Sequence, residues 1–278
     1  MKTVNIKPVL LLILCAAFGL SSCYKKFDTS SYAPALSIGG YTGADEIAPS
    51  NLVAYFPFDG DYADKVSGTA GVNTGTSFSG GIKNQSLKGG LNSYVLFTPG
   101  ASITTMQSFT ITYWVNSPAP STGIIGLVNL ANTTGFWGNI DMFFENGSTN
   151  SNGILKAHIT NGPVDSWVVK DGLVNLFDSW NHIALSYDAG TTTFKLYVNG
   201  SPVTTNVVDG FGPLQFTNTG NIVIGCVQFQ TDPSQTSATT AQDWASYLTG
   251  TMDEVRIYNK ALGDADISAL VKLEGRGK

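Results

Sequence analysis

The stretch WNHIALSYDAGTTTFKLYVNG (residues 180–200) contains two successive segments with the alternating pattern of half-buried β-strands. The apolar residues at every second position are Ile183, Leu185 and Tyr187 in the first segment and Phe194, Leu196 and Val198 in the second. Successive side chains of a strand point to opposite faces, so each set lies on one face. The second segment ends at Asn199-Gly200, which favours a tight hairpin turn. The stretch therefore predicts antiparallel strands that pack on one side against a core.

The same pattern recurs outward from this stretch in both directions. Residues 108–115 alternate in the same way, and further strands are predicted near residues 93–98, 124–130, 140–145, 154–159, 202–207 and 222–228. The chain has 31 glycines and only 13% charged residues, against about 25% in an average globular protein. Roughly a dozen short strands between turn signals predict an all-β fold, a two-sheet antiparallel jelly-roll sandwich.

The C-terminal end has a helical pattern instead. Ile267, Leu270 and Val271 fall at helical spacing, and Asp264 and Asp266 lie in the first turn, where the helix dipole favours negative charge. A short C-terminal helix is therefore predicted, and the two aspartates are interpreted as helix-starting residues.

The N-terminus has the pattern of an export signal. Lys2 and Lys7 precede an apolar run that is too short to span a bilayer, and the run ends in Leu-Ser-Ser before Cys23. This layout resembles a bacterial lipoprotein signal, in which Cys23 becomes the lipidated first residue; an ordinary secretory cleavage site is the alternative. We predict a signal peptide (residues 1–22), a flexible tether (23–50), one jelly-roll domain (51–273) and a tail (274–278). The protein is expected to be exported and anchored to a membrane, at the outer membrane or cell surface, in a periplasmic or an outward orientation.

The charge distribution argues against a nucleic-acid partner. Fifteen basic and 20 acidic residues give a formal net charge of −5, and no basic stripe is present. The only cysteine beyond Cys23, Cys226, lies in an apolar segment and is predicted to be a buried hydrophobic residue.

Four segments together resemble a known family. They are LVAYFPFDG (residues 52–60), WNHIALSYD (180–188), KLYVNG (195–200) and YLTGTMDEVRIYNKALGDADISAL (247–270). The sequences of these segments and their order resemble those of the laminin G-like, concanavalin A-type lectin and glucanase jelly-roll domains of bacterial extracellular proteins. The resemblance covers about residues 51–273 and implies the fold. It leaves the function open, because this fold hosts lectins, glycosidases and adhesins alike.

The acidic residues do not form the pair that glycosidic catalysis needs. Glucanases of this superfamily carry clustered acids on one strand face, whereas the glutamates of this chain are isolated and Asp253 and Glu254 point to opposite faces. Asp141 and Glu145 are interpreted as part of a solvent-facing strand surface, and His182 as a packed, hydrogen-bonded imidazole. The sequence thus favours a non-catalytic protein, with a glycoside hydrolase as the alternative.

A structural calcium ion is a second expectation. Asp253 is predicted to point toward the apolar side of its strand, where a carboxylate needs hydrogen bonds or a cation. The loop after the first strand supplies Asp59 and Asp61, and first and last strands lie side by side in many jelly rolls of this kind. Oxygen ligands suit calcium, so Asp59, Asp61 and Asp253 are the predicted ligands. Backbone N–H groups are the alternative partners.

Aromatic residues in long polar segments are candidates for ligand binding. Trp137, Trp167, Trp244 and Tyr247 lie among Asn, Gly, Ser and Thr, and aromatic rings can stack on the C–H faces of sugars. Any one of them could instead anchor a loop. The sequence therefore predicts a lipid-anchored carbohydrate-binding or adhesive protein whose partner is a polysaccharide or other glycan. A surface module that binds proteins through a flat apolar patch is a further alternative.

Overall fold

The computed structural model describes residues 37–278, which form the predicted all-β sandwich. The strands are β1 (Leu52–Phe56), β2 (Val72–Thr74), β3 (Ser77–Gly80), β4 (Gln85–Lys88), β5 (Tyr94–Phe97), β6 (Phe109–Asn116), β7 (Ile124–Asn132), β8 (Ile140–Phe144), β9 (Gly153–Asn161), β10 (Val164–Leu173), β11 (Asn181–Asp188), β12 (Thr193–Val198), β13 (Ser201–Val207), β14 (Thr219–Ile224), β15 (Ala245–Ser246) and β16 (Thr251–Tyr258). Within residues 37–278, two α-helices accompany them, α1 (Ala101–Thr104) and α2 (Asp264–Glu274).

The strands form two sheets of eight strands each. Sheet A has the order β13-β12-β11-β6-β16-β4-β3, and β1 also pairs with β16. Sheet B has the order β10-β9-β8-β7-β14-β5-β2, and the two-residue strand β15 pairs with β7. Neighbours are antiparallel except at β15, which runs parallel to β7. Asn199 and Gly200 both have positive φ angles, 50° and 78°, as the tight β12–β13 turn requires.

The core lies between the sheets and is built by the alternation that the sequence shows. Ile183, Leu185 and Tyr187 of β11 face inward from sheet A, and Met142 and Phe144 of β8 face them from sheet B. All five side chains are buried, and burying an apolar side chain of this size contributes about 1.5–3 kcal/mol.

Helix α2 and the segment before β1 cover the outer face of sheet A. Ile267 and Leu270 of α2 pack in one buried cluster with Tyr197 of sheet A and with Ala44 and Ile47. The packed structure therefore begins before residue 51, where the domain was predicted to start, because apolar residues of the supposed tether are buried here. The predicted tail also began too early, since Glu274 belongs to α2 and is fully buried.

Strand β16 carries a bulge at its adjacent acidic residues, Asp253 and Glu254. Asp253 lies opposite Trp114 while its neighbour Met252 packs in the core, so the prediction that Asp253 points toward the apolar side of the strand was wrong. The pairing register with β6 shifts between Asp253 and Arg256, and Glu254 has a positive φ of 51°. Glu254 and Arg256 share the outer face of sheet A, which α2 covers. Both side chains are therefore buried, with Arg256 Nη2 2.8 Å from Glu254 Oε2 and Arg256 Nε 2.8 Å from Glu274 Oε1.

The predictions for the extreme N-terminus lie outside the described residues. These are the signal peptide, Cys23 as a lipidation site, and residues 23–36 of the tether. Within residues 37–278, none of the helices has the length and apolar character needed to cross a bilayer. Cys226 is fully buried, as predicted, and burial raises the pKa of its thiol.

Candidate functional site

The outer face of sheet B carries a row of side chains that the strand register brings together. Trp167 of β10 lies opposite His158 of β9, and His158 lies opposite Asp141 of β8. The residues next to them, such as Val168 and Ala157, point into the core and fix which face this row occupies. Three residues far apart in sequence are thereby placed side by side.

Three of the predicted ligand-binding residues meet above this row. The ring centroids of Trp137 and Trp167 are 5.5 Å apart, and those of Trp137 and Trp244 are 6.1 Å apart. Phe136 joins them, with its ring 6.2 Å from Trp244 at an interplanar angle of 19°. We call these four residues the aromatic surface: Phe136, Trp137, Trp167 and Trp244.

The aromatic surface is open to solvent above and supported from below. Trp244 is 42% exposed, and Phe136 and Trp167 are each 39% exposed. Phe143 and Phe229 are buried beneath and pack against Trp137, with Phe143 parallel to it within 4°. Exposed aromatic rings that adjoin one another on a soluble protein mark a binding surface.

Two buried glutamines hold the loops that carry these rings. Gln228 accepts a hydrogen bond from the backbone N–H of Asn132 (2.7 Å) and donates to the carbonyls of Gly135 and Phe136 (2.8 and 3.0 Å). Gln230 accepts from Gln242 N (2.9 Å) and donates to Ala245 O (2.9 Å), on either side of Trp244. The rings are therefore fixed before any ligand arrives, which lowers the entropic cost of binding.

A charged row borders the rings. His158 lies between two carboxylates, with Nδ1 3.4 Å from Asp141 Oδ2 and Nε2 3.0 Å from Asp165 Oδ2. Burial opposes protonation of His158, but these carboxylates raise its pKa above the ordinary value. Asp141 is fully buried, which raises its own pKa, whereas the side chain of Asp165 is 58% exposed. Asp141 was interpreted as a solvent-facing residue; this was wrong, because residues 136–138 fold over it and Gly138 N donates to it (2.7 Å).

Tyr247, the fourth predicted ligand-binding residue, lies apart from the aromatic surface. It lines a cavity of about 740 Å³ together with Tyr94 and polar residues such as Asn92 and Asp232. Its hydroxyl donates to Gln230 O (2.7 Å), so its ring is held in place.

Two of the three predicted metal ligands meet at one loop, between β3 and β4. Asp253 accepts from the backbone N–H groups of Ile82 (2.7 Å) and Lys83 (3.1 Å). Asp59 accepts from the backbone N–H of Gln85 at 3.0 Å. Asp61 is separate, and its carboxylate pairs with Lys65 at 2.7 Å.

The groups around the Asp59 and Asp253 carboxylates are hydrogen-bond donors of a loop and not further oxygen ligands. A calcium ion takes six to eight oxygens, whereas the neighbours of these two carboxylates are N–H groups. In the described part of the chain, no three His, Cys, Asp or Glu side chains cluster as metal ligands would. Burial, opposed by the backbone N–H bonds, raises the pKa of Asp253 to about 7. The calcium ion stays a prediction.

His182 does not contribute to this surface. It is fully buried in sheet A, and its ring contacts Trp114 edge-on at 5.3 Å. Neither ring nitrogen has a hydrogen-bond partner among residues 37–278, so the expected hydrogen bond is absent there.

Sequence reasoning missed the charged row because it did not identify β10. Residues 164–170 alternate, with Ser166 and Val168 buried between outward-facing Asp165, Trp167 and Val169. Reading that alternation together with the preceding turn would have placed Asp165 and Trp167 beside β9.

The chain matches the family model described as the concanavalin A-like lectin/glucanases superfamily (Laminin_G_3) over residues 88–268. No curated protein sequence matches it.

Several solved structures are similar in fold. Domain 4 of AbnA, an extracellular arabinanase of Geobacillus stearothermophilus in complex with arabinotriose, is 20% identical, with a TM-score of 0.52 over 80% of this chain and 98% of that domain. The binding domain of botulinum neurotoxin DC in complex with SialylT is 13% identical, with a TM-score of 0.58 over 82% of this chain and 52% of that chain. A leech intramolecular trans-sialidase is 17% identical, with a TM-score of 0.50 over 81% of this chain but only 28% of the enzyme.

Proposed function

The chain belongs to the concanavalin A-like lectin/glucanases superfamily, and on this premise we propose that it is a non-catalytic carbohydrate-binding protein of the cell envelope. Membership alone does not select this function, because the fold hosts several. The ligand is a glycan that stacks on the aromatic surface.

The observation that carries the proposal is the convergence of the three tryptophans. Trp137, Trp167 and Trp244 come from separate segments, yet their rings adjoin one another and two of them are about two-fifths exposed. The C–H faces of a sugar stack on such rings, while polar groups at the edge bind its hydroxyls. The Asp165 carboxylate supplies such a group next to Trp167.

The solved structures support a glycan partner in general terms. The arabinanase domain was solved with arabinotriose and the toxin domain with SialylT. Identities of 20% and 13% carry no ligand over to this chain. The support for a glycan therefore comes from the fold together with the exposed rings.

The burial of Asp141 favours binding over hydrolysis. Glycosidases place two accessible carboxylates on either side of the bond that breaks. Asp141 and Asp165 are the two acids of the charged row, but Asp141 is fully buried and His158 lies between them. A substrate oxygen on the rings could not reach Asp141.

The proposal includes an N-terminal lipid anchor on Cys23, which would hold the protein at the outer membrane or cell surface. It rests on the sequence of the export signal and is tested separately below.

Glycan binding is tested with the full chain in detergent, applied to an array of immobilised polysaccharides and then titrated against those that bind. Trp167→Ala and Trp244→Ala should each weaken binding about tenfold or more, or about 1.4 kcal/mol. Leu91→Ala, a change at an exposed apolar residue outside the aromatic surface, serves as the control and should have no effect.

Three outcomes would contradict the proposal. Binding that is unaffected by both tryptophan changes would place the site elsewhere, and release of reducing sugar would favour the hydrolase. Absence of glycan binding together with capture of a protein through the same rings would favour a protein-binding module.

A further inference from the structure

Two exposed acidic residues lie beside tryptophans of the aromatic surface. Asp165 lies two residues before Trp167, and its side chain is 58% exposed. Asp243 immediately precedes Trp244 and is also exposed. The two exposed tryptophans, Trp167 and Trp244, therefore each have an exposed carboxylate within two residues of the chain.

The cationic groups on this face are already paired with carboxylates. His158 lies between Asp141 and Asp165, at 3.4 and 3.0 Å. Lys156, on the same face of β9, has its Nζ 2.5 Å from Glu145 Oε2. Lys170 of β10 is an odd number of residues from Trp167 and so faces the other way.

Neither arginine of the chain is on this face. Arginine is the residue best suited to bind a carboxylate, through two parallel hydrogen bonds. The sequence holds only Arg256 and Arg276. Arg256 is buried under α2 with Glu254 and Glu274, on the outer side of sheet A, and Arg276 follows directly after that helix.

We propose that the aromatic surface selects uncharged, hydroxyl-rich glycans and rejects glycans that carry carboxylates, such as uronic or sialic acids. The proposal rests on the proposed function and names the ligand class for that site. Asp165 is the recognition group, because His158 binds its Oδ2 and leaves the exposed carboxylate oriented to accept bonds from sugar hydroxyls. A ligand carboxylate at that place would meet a like charge, and such juxtapositions discriminate between partners.

The test compares neutral polysaccharides with carboxylate-bearing forms of the same chains. β-Glucan and galactomannan are titrated against the full protein in detergent, each beside a derivative with part of its primary alcohols oxidised to carboxylates. The methyl ester of that derivative is the control for the lost primary alcohol, because esterification removes the negative charge without restoring the alcohol. Polygalacturonate and a sialylated oligosaccharide are included as natural anionic ligands.

We expect the oxidised form to bind at least about tenfold more weakly than the neutral form, with recovery in the ester. Added salt should strengthen binding of the oxidised form, since it screens repulsion, and leave the neutral form nearly unchanged. Asp165→Asn and Asp243→Asn should each reduce the difference in affinity between the neutral and the oxidised polysaccharide. Asp45→Asn, a change at an exposed carboxylate in the segment that covers sheet A, should not.

The possible failures are distinguishable. Binding of an anionic glycan as tight as that of the neutral one, still lost in Trp167→Ala, would overturn the charge selection and leave the proposed function intact. Binding of no glycan, or binding indifferent to Trp167→Ala, would overturn the proposed function and this inference with it. A difference between charged and neutral forms that is unchanged in both asparagine variants would remove the assigned role of Asp165 and Asp243.

Discussion

His158 joins the buried and exposed parts of the charged row. Its ring contacts Asp141 under the folded loop and Asp165 at the surface, and it lies 4.6 Å from the ring of Trp167. The protonation state of His158 therefore changes the charge at the edge of the aromatic surface.

The raised pKa of His158 predicts a pH dependence of stability. Because Asp141 and Asp165 favour the protonated ring, the folded pKa exceeds the unfolded value of about 6.5. The stabilisation is fully present below about pH 6.5 and is lost as the pH rises through the folded pKa. Thermal unfolding of wild type and His158→Gln between pH 5 and 9 measures it. The wild type should lose more stability over this range than the variant.

The contribution of His182 to stability should change with pH in the opposite direction to that of His158, so His182 serves as an internal control. Burial lowers the pKa of His182 to about 3, so its contribution is present above about pH 6.5 and is lost toward lower pH. If His158→Gln leaves the slope above pH 6.5 unchanged, the paired state of His158 is wrong.

The Asp59 and Asp253 pair carries the calcium prediction. An ion that binds only the folded protein stabilises it by about 2.7 kcal/mol at a concentration 100 times Kd. Calcium should therefore raise the melting temperature and a chelator should lower it, with the effect lost in Asp253→Asn. Asp61→Asn is the matched control, because Asp61 lies with Lys65. An unchanged melting temperature on adding chelator would leave N–H groups, those of residues 82–85 and of Glu254, as the partners of these carboxylates.

At the scale of elements, strand β16 and helix α2 are joined by a buried charge network. Arg256 bonds Glu254 and Glu274, and Trp114 Nε1 donates to Glu274 (2.8 Å). The Arg256 guanidinium also lies 3.8 Å from the centre of the Tyr55 ring. The helix is therefore fixed by directional bonds as well as by its apolar face.

Breaking this network on one side should be costly. Arg256→Met leaves Glu274 buried without a cation and Glu254 with only Lys83 Nζ, 3.7 Å away, so we expect a loss of about 3–5 kcal/mol in the free energy of unfolding. Urea denaturation measures it, and Lys195→Met, which breaks the exposed pair with Asp264, should cost at most about 1 kcal/mol. Equal losses in the two variants would mean that the buried network contributes little.

Sequence patterns revealed the elements with strong apolar periodicity and missed those without it. The strands β6, β11 and β12 were predicted within one or two residues, and the start of α2 was predicted at Asp264, because alternation or helical spacing is unbroken there. The strands β2, β3 and β4 were not predicted; all three residues of β2, for example, are exposed. Such strands are specified by their neighbours in the sheet.

The candidate site was predictable in its residue types but not in its arrangement. Aromatic residues in polar segments pointed to Trp137, Trp167 and Trp244, and the structure brings these three together. The same reasoning selected Tyr247, which lies in a different cavity, because sequence context does not show which loops fold toward each other. The pairing of β8, β9 and β10, which assembles the charged row, depends on register between distant segments.

At the scale of the whole molecule, the two sheets present different outer faces. Helix α2 and residues 37–51 cover sheet A, where Tyr41 bonds Asp266 of the helix at 2.9 Å. Sheet B carries the aromatic surface on its outer face. Residues 37–51 therefore lie on the side of the sandwich opposite the aromatic surface.

The anchor itself is tested by changing Cys23. Expressed in a bacterium with its own signal, the wild-type chain should fractionate with membranes, and mass spectrometry should find an acylated peptide that begins at Cys23. Cys23→Ser should abolish both, because a serine cannot carry the thioether-linked lipid, and should release the protein in soluble form. Cys226→Ser changes a buried thiol and should leave membrane fractionation intact. A wild-type N-terminal peptide that is unacylated would establish ordinary secretory cleavage and remove the lipid from the proposal.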